Sequence, residues 1–137
     1  MSLEKRIENL EAHFGPPREQ ELQERRRRNQ RFLEGISRDF EALVPKVVPR
    51  VDAGLVSRAH LENESPRTIA AVYAVLRSRN DPRADDVKEI HEAVMEQRYQ
   101  HPSYAELEQM YPGTQRKLED WFWAVVERYA ESHKNRL

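Results

Sequence analysis

Apolar residues recur at spacings of three and four along most of this 137-residue chain, and that spacing constrains its fold more than any other feature. Such a period puts side chains on one face of an α-helix, whereas a half-buried strand needs strict alternation. Leu3, Ile7, Leu10 and Phe14 form a heptad seam with mostly charged residues between them. Leu33, Ile36, Phe40 and Leu43 form a second seam, which extends backward through Asn29, Arg26 and Leu22. Ile69, Val72, Tyr73 and Leu76, then Val87, Ile90 and Val94, then Leu118, Trp121, Phe122, Val125 and Tyr129 mark three more helical faces. No alternating strand pattern competes, and "KVVPRV" is too short to settle the matter. The expectation is an all-α fold, a small bundle of five to six helices with an N-terminal heptad-patterned helix pair.

Proline sets the expected boundaries. Gly15, Pro16 and Pro17 break the first helix from the second, which runs from Pro17 to about Val44. Ser65–Pro66 and Asp81–Pro82 each pair a capping side chain with a first-turn proline. Ser103 with Glu106 reads as a capping box. Residues 45–64 hold two prolines after Val44 and read as a linker in which Asp52 caps a short helix or the valines form a strap. This divides the chain into an N-terminal helical arm (1–44), a linker (45–64) and a C-terminal helical core (65–137). Phe32 and the residues after it are the arm's expected core contribution.

Composition narrows the function classes. There is no cysteine, so disulfides and thiolate metal sites are excluded. No run of about 18 apolar residues is present, so no membrane span is expected. The N-terminus lacks the apolar stretch of a secretory signal, and a cytoplasmic protein is the natural expectation. Residues 1–80 carry 15 Lys/Arg against 12 Asp/Glu, while residues 81–137 carry 8 against 12. The two halves are thus opposite in sign, which favours head-to-tail contact between copies.

Catalytic chemistry finds little support. The four glycines are scattered, so no phosphate-binding loop is present, and no Gly-x-Ser-x-Gly elbow occurs. None of the five histidines forms a Glu-x-x-His or His-Glu-x-x-His pattern. Asp85, Glu89, Glu92 and Glu96 share one helical stripe, opposite Val87, Ile90 and Val94, with His91 at the apolar edge. A stripe facing away from the core is a solvated face or a docking strip for a basic partner, not a bundle-core metal site. No enzyme activity, cofactor or metal is expected.

Two features point to binding instead. Arg25, Arg26, Arg27 and Arg28, with Arg31, form an arginine-rich helical stretch. Four successive helical residues encircle the axis, so they cannot share one face. Glu21 with Arg25 and Glu24 with Arg28 are i,i+4 pairs worth roughly 0.2–0.5 kcal/mol each. The run is therefore either a self-supported solvated helix or a contact for phosphate or acidic protein. Near the C-terminus, a short helix, a Pro-Gly turn and a longer helix resemble a helix-turn-helix, with Gln115, Arg116 and Lys117 as groove-facing candidates. An ordinary helical corner has the same signature, and Glu119 and Asp120 would repel a phosphate backbone. The leading expectation is a helical interaction protein that binds another copy or a protein partner, with Leu3, Ile7, Leu10 and Phe14 as its interface. The alternative is a nucleic-acid-binding accessory protein.

Overall fold

The computed structural model describes the backbone of residues 3–137 and the side chains from residue 19 onward. The described residues form six helices and no strand: α1 (Leu3–Asp52), α2 (Arg58–Leu61), α3 (Pro66–Ser78), α4 (Arg83–Tyr99), α5 (Pro102–Met110) and α6 (Thr114–Ser132). The all-α bundle expected from the periodicity is the observed class. No helix among the described residues is long and apolar enough to cross a membrane. The chain divides into two compact units, Met1–Ile36 and Ser37–Leu137.

The N-terminal helix pair is one helix. α1 spans Leu3–Asp52, so the break expected at Gly15–Pro17 is absent from the backbone. A proline's locked φ is itself helical, and the ring removes a hydrogen bond without forbidding continuation. The stretch 45–64 also differs from the expected linker, because it holds the end of α1, a turn and α2. Phe40, Val44, Val47 and Val51 are buried at helical spacings of four, three and four, while Pro45 and Pro49 are exposed. Each proline deprives the carbonyl four residues earlier of its partner, here Glu41 and Pro45, and both of those residues are exposed. Water can satisfy those carbonyls, while the buried stripe holds the helix together.

Gly54 ends α1 with φ near 75°. Leu55 N–H donates to the Arg50 carbonyl and Gly54 N–H to the Val51 carbonyl, each at 3.0 Å, which is a Schellman closure. Asn80 closes α3 the same way at φ 54°, with Asp81 N–H donating to Leu76 at 2.9 Å. Asp52 lies in α1, so it does not cap the next short helix; Ser57 occupies that position. At the start of α3, Ser65 Oγ accepts from Thr68 N–H at 3.2 Å, as its sequence position suggests. Asp81 Oδ1 accepts from Arg83 N–H at 2.9 Å at the start of α4. The expected Ser103 cap is displaced by two residues. His101 is the N-cap and Pro102 opens the helix, repeating the cap-then-proline order of Ser65–Pro66.

Helix α3 is the hub of the Ser37–Leu137 unit, and all of its residues from Ile69 to Leu76 are buried. It packs chiefly on α4 and α6. Phe40 of α1 reaches α6, where its ring meets Phe122 and Tyr129 edge-on. Arg67–Asp39, Arg79–Asp52 and Arg50–Glu64 ion pairs, at 3.0, 2.7 and 2.8 Å, tie the loops and helix ends around this core. Phe32 does not join the core: it is 57% exposed, and among the described residues the arm's buried side chains begin at Ile36.

Candidate functional site

Two surfaces hold the residues that chemistry could use. The first is the segment of α1 from Glu19 to Phe32, in which every side chain is exposed. Arg25, Arg26, Arg27, Arg28 and Arg31 all lie here. Arg28 meets Glu24 at 3.7 Å as an i,i+4 pair, but the companion Glu21–Arg25 pair does not form. Among the described residues Arg25, Arg26, Arg27 and Arg31 have no ion-pair partner. Leu3, Ile7, Leu10 and Phe14 lie outside the residues whose side chains are described.

The second is a cleft of about 500 Å³ between α4 and α6. Lys88, His91, Glu92, Met95, Glu96 and Tyr99 line it from α4 at helical spacing. Arg116, Glu119, Asp120 and Trp123 line it from α6 at the same spacing. Two three-four stripes that would ordinarily be apolar are here largely polar, so the helices enclose a charged cleft where a packed seam would otherwise lie. Two cations face four carboxylates.

The aromatic rings in this cleft attract cations. The Lys88 ammonium lies 5.3 Å from the Trp123 ring centre, and the Arg116 guanidinium lies 5.8 Å from that of Tyr99. Both distances fit cation–π attraction. The Tyr99 hydroxyl donates to Glu119, and burial together with that carboxylate holds the phenol well above its usual range. Glu92, Glu96 and Asp120 have no hydrogen-bond or ion-pair partner among the described residues.

Two of the residues that line the cleft carry unsatisfied ring nitrogens. His91 is 3% exposed, and its Nε2 has no hydrogen-bond partner. Trp123 Nε1 is buried and unpartnered as well. The two rings lie 4.8 Å apart, with Tyr73 at the same distance from Trp123. An unpaired buried donor or acceptor costs about 1–3 kcal/mol, so a ligand that satisfied both would gain by doing so. Burial pulls the His91 pKa down to about 4, which leaves the ring neutral near pH 7.

The sequence-derived residues divide between these surfaces. Arg116 lies in the acidic cleft beside Tyr99, Gln115 is half-buried, and Lys117 is exposed one residue on. The expected acidic stripe of Asp85, Glu89, Glu92 and Glu96 is exposed, and its last two members form part of the cleft lining. Trp123 escaped the sequence reading because Trp121, Phe122 and Val125 described the apolar face adequately. Its signal was the polar stripe Arg116, Glu119, Asp120 and Trp123, which turns away from that face. No group of three or more metal-ligating side chains is gathered among the described residues. The chain matches no protein-family model, and neither a curated protein nor a solved structure is similar to it.

Proposed function

We propose that this chain is a non-enzymatic helical interaction protein that docks through α1 on a second copy of itself or on a protein partner. The observation that carries this reading is the exposure of every side chain from Glu19 to Phe32 within a continuous helix. Helices gain most of their stability from a packed face, and this segment has none within the described chain. Leu22 and Phe32, 47% and 57% exposed, offer apolar area for a partner to cover. Residues 19–34 carry five arginines and four glutamates, a mixture suited to a protein surface with paired charges.

Deletion of residues 1–34 tests this directly. The truncated chain is expected to sediment as a monomer while the Ser37–Leu137 core melts as it does in the full chain. Association that persists after the deletion would assign self-docking to another surface.

The unpaired arginines support a second reading, a nucleic-acid accessory protein. Anisotropy with a random-sequence duplex separates the two, because phosphate contacts give affinity that collapses between about 50 and 200 mM salt. The segment's single net positive charge predicts weak binding even at the lower salt. Tight, steeply salt-dependent binding would favour the nucleic-acid reading instead. The four carboxylates around Arg116 count against groove contacts by Gln115, Arg116 and Lys117.

A further inference from the structure

We infer that the α4/α6 cleft receives α1 of a second copy, with the Arg26 guanidinium entering among the cleft carboxylates and the Asn29 amide beside it. This rests on the docking reading above and names where the second copy sits. The cleft specifies its occupant by what it lacks. Glu92, Glu96 and Asp120 have no ion-pair partner among the described residues, and four carboxylates outnumber the two cations in the lining, so the occupant brings positive charge. Lys88 over Trp123 and Arg116 over Tyr99 establish that a cation fits against these rings. A guanidinium suits the place better than an ammonium, since its planar fork pairs with carboxylates and stacks on aromatic faces.

The cleft's ring nitrogens add a second requirement. The Trp123 N–H needs an acceptor, which a guanidinium cannot supply. The His91 Nε2 is a donor or an acceptor according to tautomer. A primary amide serves both, because its carbonyl accepts and its NH2 donates. On α1, Arg26 and Asn29 are three residues apart on one side of a fully exposed helical segment. The arginine run therefore presents a cation and an amide together, and α4/α6 presents the complementary set.

Sedimentation velocity on the full chain tests the pairing by charge exchange. Glu96 and Asp120 are exposed, so Glu96→Lys with Asp120→Lys leaves the buried core untouched, as an unchanged melting curve verifies. That variant is expected to weaken self-association about tenfold or more, and Arg26→Glu with Arg27→Glu to do the same. Combining the two sets restores association if the surfaces meet. The contact joins two different surfaces, so two reciprocal copies close a dimer and one-way contacts build chains, and either raises the sedimenting mass. If the cleft variant associates like the original chain, while deletion of residues 1–34 still abolishes association, the second copy docks elsewhere and the inference falls alone. If the original chain stays monomeric at every concentration, self-docking and the inference fall together.

Discussion

Replacing Phe40 with alanine is expected to lower the unfolding free energy of the Ser37–Leu137 unit by about 3–5 kcal/mol. The side chain is fully buried. Its ring meets Phe122 at 5.8 Å and 88°, and Tyr129 at 5.4 Å and 80°. Edge-on pairs of this kind contribute about 0.5–1.5 kcal/mol each beyond the area they bury. The alanine variant leaves a cavity between α1 and α6, and rigid helices on both sides limit its collapse. In denaturant titration the midpoint should fall while the slope is retained. Phe40→Leu keeps most of the volume and should lose much less. A loss below about 1 kcal/mol for the alanine variant would show that residues 37–52 lie outside the cooperative core.

Acidification is expected to destabilise the same unit through His91. The folded pKa of about 4 lies below the ordinary 6.5, because burial disfavours the charged ring. An unfolded chain therefore takes up a proton that the folded chain refuses. Stability from this group is complete above pH 6.5 and is lost as the pH falls towards 4, by roughly 3 kcal/mol in all. Glu92, Glu96, Glu119 and Asp120 line the same cleft, so the comparison needs a variant. His91→Gln keeps a polar side chain without a charge to gain. Its melting temperature should fall less steeply than that of the original chain between pH 6.5 and 5. Equal slopes would mean that the folded chain admits the proton and that the ring is reached by water.

Much of the helical grammar could be read directly. Ser65–Pro66 opens α3 because a side-chain acceptor precedes a residue that needs no donor, and the structure has that bond. His101–Pro102 obeys the same rule, but Ser103 offered a more familiar capping residue and drew the boundary inward. Gly54, placed just after Val51, was a legible stop for α1 that the neighbouring prolines obscured. Pro45 and Pro49 were read as breakers because their local effect is a lost hydrogen bond. Only the burial of Phe40, Val44, Val47 and Val51 shows why the helix continues, since that face is sustained by α3 and α6 and not by the segment itself.

By itself, the sequence determined the all-α class, the Ser65 cap of α3 and the exposed acidic stripe of α4. These follow from side-chain period and from local hydrogen bonding, which act within a few residues. Only the tertiary structure decided that Phe32 faces solvent, that α1 continues to Asp52, and that Arg116, Glu119, Asp120 and Trp123 face Lys88, His91 and Glu92 across a cleft. The physical reason is that a polar stripe has the same period whether it meets water or another helix. Which of the two it meets is set by packing between segments distant in the chain.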